Sequence, residues 1–286
     1  MATIKELLDY GMEQLANSGN EYAKFERKAL LEHVLSVNYM YMIMNGDEEV
    51  PEDKANYYRK LIEKRMIHYP LQYLLGYAHF MDYTFYVDEN VLIPRSDTEI
   101  LVETFNDMYT DICNNFFDEK NVKLLDLCCG SGCIGISIKL YHSETKLTLS
   151  DVSDGALKVA MSNLKKYKLE DVIINKGNLF DGLKDRYSII VCNPPYIERE
   201  IVNTLMPEVK DYEPRLALDG GEDGLSFYRS IIKEAVDYLD TNGYIFFEIG
   251  YNQGKEVSSL MKDAGFSDVI VKKDYADMDR VVIGHL

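Results

Sequence analysis

Apolar residues recur at helical spacing over the first part of the chain and at strand spacing over much of the rest. Between residues 3 and 67, Ile4, Leu7, Leu8 and Leu15, then Leu30, Leu31, Val34 and Leu35, predict amphipathic helices. Pro51, a favoured first-turn residue, opens a third predicted helix through Tyr58, Leu61 and Ile62 to Met66. The period then shortens. Phe80, Tyr83, Phe85 and Val87, followed by Val91, Leu92 and Ile93, flank Asp88-Glu89-Asn90 and predict a β-hairpin. Ser96-Asp97-Thr98-Glu99 has capping-box spacing and predicts a helix ending near Ile112.

From Lys123 onward, strands and helices alternate. Strands are predicted at 123–128, 146–151, 172–175, 187–192, 243–249, 267–272 and 280–285, with helices such as 154–167, 223–239 and 252–264 between them. This alternation is the mark of an open parallel sheet covered by helices on both faces. Only Lys273 to Arg280 joins the last two strands. A parallel crossover needs a dozen or more residues, so the final strand is expected to run antiparallel. The organisation is α/β: a helical domain over 1–78, a hairpin linker over 79–95 and a sheet domain over 96–286.

Composition narrows the partners. The 286 residues carry a formal charge of −17. Residues 1–85 hold nine basic and thirteen acidic side chains, a charge of −4, which leaves −13 for the remainder. Neither part has the basic surplus that gripping a phosphate backbone requires, so no direct nucleic-acid partner is expected. No apolar run reaches the roughly 20 residues of a membrane span, and the N-terminus lacks a signal pattern. Five cysteines, at 113, 128, 129, 133 and 192, form neither a Cys-x-x-Cys pair nor a Cys/His cluster. No metal site is expected, and an odd thiol count suits the reducing cytoplasm. His33 and His68 have no partner nearby in sequence that would make them ligands.

The first strand of the sheet domain feeds Cys129-Gly130-Ser131-Gly132-Cys133-Ile134-Gly135 and a helix. Gly130 and Gly132 permit a tight turn with close approach of a ligand to the backbone. Asp151 ends the second strand nineteen residues beyond Gly132, placed to accept from ribose hydroxyls. These features predict a nucleotide. Gly135 matches the third glycine of a dinucleotide loop, so spacing alone does not exclude NAD. Gly177-Asn178-Leu179-Phe180 follows the third strand on the same edge. Asn178 can accept from an adenine amino group, and Leu179 can cover the ring.

The fourth strand ends in Asn193-Pro194-Pro195-Tyr196-Ile197. Two prolines fix the backbone and remove two donors, leaving strand-end carbonyls as acceptors. Asn193 adds a side-chain acceptor and Tyr196 a flat aromatic face. This equipment suits methylation of a planar nitrogen, whose lone pair is delocalised. Two acceptors holding the two N–H groups turn that lone pair towards the methyl donor. Asn193 is no strong base, so catalysis is expected to rest on positioning and electrostatics.

With these residues in view, the chain resembles the peptide chain release factor N5-glutamine methyltransferases, the PrmC/HemK family. The resemblance spans the chain. It is carried by Pro70-Leu71-Gln72-Tyr73, Leu92-Ile93-Pro94-Arg95 with Asp97-Thr98-Glu99, Asp126-Leu127-Cys128-Cys129-Gly130-Ser131-Gly132 and Asn193-Pro194-Pro195-Tyr196-Ile197. Tyr212-Glu213-Pro214, Gly220-Gly221, Asp223-Gly224-Leu225, Glu248-Ile249-Gly250 and Asp279-Arg280-Val281-Val282 add to it. It implies a helical N-terminal domain and a seven-stranded, Rossmann-like class I methyltransferase domain. The implied cofactor is S-adenosylmethionine, held by Cys128, Cys129, Gly130, Ser131, Gly132, Asp151, Asn178, Leu179 and Asn193. The implied substrate is the Gly-Gly-Gln glutamine of class I release factors, gripped by Asn193 and the Pro194 carbonyl, with Pro195 and Tyr196 completing the site. A monomer in the cytoplasm is expected. Two positions depart from the pattern: Ser96 stands where proline is common, and Asn178 where an acidic residue is common. The rivals are a DNA adenine N6-methyltransferase, which the charge of −17 disfavours, and a non-catalytic cofactor-binding protein, which the intact Asn193–Tyr196 motif disfavours.

Overall fold

Thr3 and Glu6 cap the first helix reciprocally: the Glu6 N–H donates to Thr3 Oγ1 at 3.2 Å and the Thr3 N–H to Glu6 Oε2 at 2.8 Å. The pair satisfies two donors that have no partner within the helix. In the computed structural model, which describes residues 2–286, this helix belongs to a unit that runs to Gly76 and also takes in Met206–Tyr212. The unit contains α1 (Ile4–Asn17), α2 (Ala23–Leu35), α3 (Tyr39–Met44), α4 (Glu52–Met66) and α5 (Leu71–Leu75). Leu7, Leu15, Leu30, Leu31, Tyr58 and Ile62 form its core. Periodicity misses α3 and α5 because six and five residues are too few to show a period. Arg65 on α4 is the polar centre. It donates to Glu26 Oε2 at 2.6 Å and Oε1 at 3.1 Å, and to Glu208 Oε1 at 2.9 Å. One buried cation thereby ties α2 and α4 to the distant 206–212 segment, an arrangement that holds only while each charge stays paired.

The second unit opens with β1 (Tyr77–Phe80) and β2 (Tyr83–Tyr86), paired Tyr77↔Tyr86 and Phe80↔Tyr83. The turn is therefore Met81-Asp82, and Asp88-Glu89-Asn90 is not the hairpin loop its composition suggests. Met81 has φ +52°, in the left-handed region that such short turns use and that methionine does not advertise. Phe80 and Phe85 are fully buried. The Tyr86 N–H donates to Asn163 Oδ1 at 2.7 Å, and Asn163 Nδ2 returns a bond to the Tyr86 carbonyl at 3.1 Å. The segment expected as a linker is thus built into the sheet unit. The next helix, α6 (Ser96–Phe116), runs past Ile112. The capping box expected at Ser96–Glu99 does not form: no side chain caps α6, and Glu99 Oε1 instead accepts from the Met81 N–H at 2.5 Å. A turn N–H without a ladder partner has drawn the carboxylate from its own helix.

The chain continues β3 (Lys123–Leu127), α7 (Cys133–Tyr141), β4 (Lys146–Asp151), α8 (Asp154–Tyr167), β5 (Ile173–Lys176), β6 (Tyr187–Cys192) and α9 (Arg199–Val202). After α10 (Pro207–Lys210), which lies in the first unit, come α11 (Ser226–Tyr238), β7 (Leu239–Glu248), α12 (Gly254–Asp263), β8 (Ser267–Lys273) and β9 (Asp279–His285). The seven-stranded sheet has the order β5-β4-β3-β6-β7-β9-β8, parallel from β5 to β7, with β9 antiparallel to both neighbours, as the short final connection requires. Successive strand residues face opposite layers. Leu124, Ile189 and Phe246 pack with Phe105 and Ile136, while Leu125, Ile190 and Phe247 pack with Tyr228 and Ile231. The chain passes from β3 to β4 on one side and returns to β6 on the other. That reversal opens a crevice at the carboxyl ends of β3, β4 and β6.

Candidate active site

Backbone geometry makes one half of the crevice. Beyond β3, Cys128, Gly130 and Gly132 all take positive φ, at +61°, +53° and +77°. The Gly132 N–H donates to the Cys129 carbonyl at 2.8 Å and closes the turn. A Cβ at Gly132 would stand 2.9 Å from Ile136 Cδ1, so the position admits only glycine without rearrangement. Asp126 lies beneath the turn. Its Oδ2 accepts from the Gly135 N–H at 2.8 Å, and its Oδ1 has no partner among the described residues. Burial pushes its carboxyl up to about 7, against the Gly135 bond, with the nearby Asp151 charge adding to the rise. Asp151, at the end of β4, accepts from the Gly130 N–H and the Ser153 N–H, each at 2.9 Å. Burial raises its pKa and these backbone bonds oppose the rise. Each oxygen keeps a further lone pair for a ligand.

Cys128, Gly130 and Asp151 line an open cleft, while Asp126 and Gly132 are buried behind its surface. Cys128, Cys129, Gly130, Ser131, Asp151, Asn178, Leu179 and Asn193 are all at its surface. Leu179, like Cys128, is a non-glycine cleft residue with left-handed backbone, at φ +53°. The cleft wall also includes Leu92, Pro94, Pro214 and Leu216. Glu213 builds that wall: it accepts from the Ile93 N–H at 3.1 Å and pairs with Arg95, so one buried carboxylate fastens two segments 120 residues apart in sequence.

Side chains and a second loop make the other half. Asn193 and Pro195 line the cleft; Pro194 and Tyr196 do not. The Ile197 N–H donates to the Leu218 carbonyl at 3.0 Å, and the Gly220 N–H to the Ile197 carbonyl at 2.8 Å. Gly220 passes so close that a Cβ there would lie 2.7 Å from Tyr196 Cα. Gln253 Nε2 donates to the Tyr196 carbonyl at 3.0 Å. The Tyr196 hydroxyl donates to Glu248 Oε1 at 3.1 Å, and Asn193 Nδ2 donates to Thr98 Oγ1 at 3.4 Å. The Asn-Pro-Pro-Tyr turn is therefore clamped on both sides before any substrate arrives.

Two protein families match the chain: the PrmC N-terminal domain over residues 6–76 and the methyltransferase small domain over 97–209. A release factor glutamine methyltransferase of Clostridium botulinum is 39% identical over 286 residues, covering 98% of each chain. Its counterpart from Clostridium acetobutylicum is 38% identical over 284 residues, covering 98% of this chain and 97% of that one. The chain belongs to the release factor glutamine methyltransferases. It is thus an enzyme, and the seven-stranded sheet read from the sequence is a methyltransferase sheet. The hMettl16 catalytic domain shares that fold, with a TM-score of 0.56 at 14% identity and 81% of each chain covered. No helix among the described residues is long and apolar enough to cross a membrane. No group of three or more His, Cys, Asp or Glu side chains among them could hold a metal ion.

Sequence reading named the crevice residues but not their supports. Asp126, Glu213 and Glu248 entered only as parts of family motifs, and Thr98 only there and within a capping-box pattern. A signal was present for two of them. Asp126 sits in Lys-Leu-Leu-Asp-Leu and Glu248 ends Tyr-Ile-Phe-Phe-Glu. A carboxylate in so apolar a strand is costly unless something there uses it.

Proposed function

We propose that the enzyme transfers a methyl group from S-adenosylmethionine to the side-chain amide nitrogen (N5) of the glutamine in the Gly-Gly-Gln motif of class I release factors. The observation that carries this reading is the position of Asn193: it lines the same cleft as the glycine turn and Asp151. A methyl donor and an amide acceptor can then meet across a few ångströms. The cleft suits the cofactor. Asp151 presents free lone pairs for ribose hydroxyls, and Leu179 offers an apolar cover for adenine. The bound cofactor supplies an electrophilic sulfonium methyl.

The chain's own residues do the rest. Asn193 Oδ1 accepts one N–H of the glutamine amide and the Pro194 carbonyl the other. Held so, the nitrogen turns its lone pair towards the methyl, and Tyr196 backs the amide plane. Once methylated, the nitrogen would be acidic and its proton would pass to water, so no strong base is needed. Removing a preorganised contact of this kind costs about 10²–10³ in rate. The enzyme acts as a cytoplasmic monomer on a protein, with the first unit docking the release factor. Transfer of tritium from labelled cofactor into a purified release factor, with none into duplex DNA, is the expected result. Label in DNA alone would overturn the reading.

A further inference from the structure

Asn193 has two faces, and only one serves the reaction. Its carbonyl oxygen can accept from a substrate N–H; its NH₂ group would oppose one. Something must decide which faces the cleft. Asn193 Nδ2 donates to Thr98 Oγ1, which leaves Oδ1 for the substrate. Thr98 lies in the first turn of α6 and is 3% exposed. A hydroxyl that accepts from Asn193 must place its own hydrogen elsewhere. The Glu248 carboxylate is the acceptor at hand: burial raises its pKa, and Thr98 and Tyr196 oppose the rise. Glu248 is 2% exposed, and its Oε2 has no hydrogen-bond partner among the described residues, so it is free to take the Thr98 hydrogen.

We propose that Thr98 and Glu248 are positioning residues that set the orientation of the Asn193 amide. An ionised carboxylate is an acceptor only. It forces the Thr98 hydrogen towards itself, which forces Thr98 to accept from Asn193 Nδ2, which turns Oδ1 to the cleft. The same carboxylate takes the Tyr196 hydroxyl, so one buried charge orders both ends of the Asn-Pro-Pro-Tyr turn. A neutral acid or amide at 248 can donate. Thr98 can then reverse, and the Asn193 amide is free to flip its NH₂ towards the substrate.

The proton on Glu248 therefore bears on activity. The groups around it are Arg280 on β9, Asp97 and Thr98 on α6, Tyr196 after β6, Tyr228 on α11 and Cys133 on α7. Arg280 is itself paired with Asp97 and Asp274, each at 3.0 Å, and Tyr228 donates to the Glu248 carbonyl at 2.8 Å. Burial pushes Glu248 up to about 7, while Thr98, Tyr196 and Arg280 hold it down and Asp97 raises it. The productive arrangement exists above that value and is lost as pH falls through it.

This inference rests on the glutamine-methylation reading, and the test separates the two. Single-turnover methyl transfer to the intact release factor is followed from about pH 6 to about pH 9 with saturating cofactor. Thr98→Val should slow the step about 10–100-fold with little change in KM for the release factor. Thr98→Ser should restore most of the rate, because only the hydroxyl matters. Glu248→Gln should be slow and should lose the wild-type fall in rate below about pH 7. A Thr98→Val enzyme as fast as wild type, a Thr98→Ser enzyme as slow as Thr98→Val, or a Glu248→Gln enzyme with the wild-type pH limb would each overturn it. Absence of glutamine methylation by the wild-type enzyme would overturn the functional reading, and this one with it.

Discussion

The two halves of the crevice are built by different means. At the ends of β3 and β4, main-chain groups do the shaping: three residues of positive φ, a closed turn, and a carboxylate held by two backbone N–H groups. At the ends of β6 and β7, side chains do it: hydrogen bonds join Asn193 to Thr98 and Tyr196 to Glu248, from three elements. A backbone site tolerates side-chain change but not a change of turn. A side-chain network depends on every member, and its parts need not be near one another in sequence. The first half presents a fixed cradle for a small molecule. The second presents an acceptor whose direction must be chosen.

The largest effect should come from the second half. Asn193→Ala removes one of the two acceptors and should lower the methyl-transfer rate at saturating cofactor about 10²–10³-fold. Asn193→Asp sharpens this. If Asn193 only positions the amide, the Asp enzyme should not exceed wild type at any pH. A faster Asp enzyme once its carboxyl ionises would show that proton removal limits the rate. Gly220→Ala should come next. The added Cβ would meet Tyr196 Cα at 2.7 Å and the Pro195 carbonyl oxygen at 2.9 Å, displacing the turn without touching the cofactor half. Single-turnover rates should fall on the order of 10²-fold. Unchanged rates would mean that the turn tolerates the shift.

Asp151→Ala attacks the first half. A charge-assisted contact is worth roughly 1.5–3 kcal/mol, so S-adenosylmethionine affinity by calorimetry should weaken about tenfold or more. Its effect should multiply with that of Asn193→Ala if the halves are independent. The smallest effect concerns Asp126. Its raised carboxyl makes the folded state bind a proton that the unfolded chain has released. The associated stability is present below the ordinary carboxyl range and lost as pH rises through about 7. Asp126→Asn keeps an acceptor for the Gly135 N–H and removes the buried charge. It should stabilise the enzyme above pH 7 by at least about 1 kcal/mol, with no gain at acid pH. Thermal melts at both pH values check this.

The same contrast explains what could be read from the chain. Gly130, Gly132 and Asp151 lie within 22 residues, and their roles follow from local spacing. So does the strand alternation, and so does the antiparallel β9, from a short connection. Thr98 and Glu248 are 150 residues apart, and nothing local links them. The misplaced hairpin and the missing capping box share one cause. Met81 adopts an uncommon backbone, and its N–H captures Glu99 from another element. Asp88-Glu89-Asn90 looked like the turn because its residues favour turns, yet strand pairing closes elsewhere. Arg65 likewise could not announce that its second carboxylate would be Glu208, 143 residues away.

The central claim is that this crevice delivers a methyl group to a glutamine side-chain amide. The most direct measurement is mass spectrometric sequencing of a purified class I release factor after incubation with the enzyme and S-adenosylmethionine. One added methyl, on the side chain of the Gly-Gly-Gln glutamine and absent with Asn193→Ala, is the predicted result. A methyl on another residue, or an equally modified glutamine with Asn193→Ala, would contradict it.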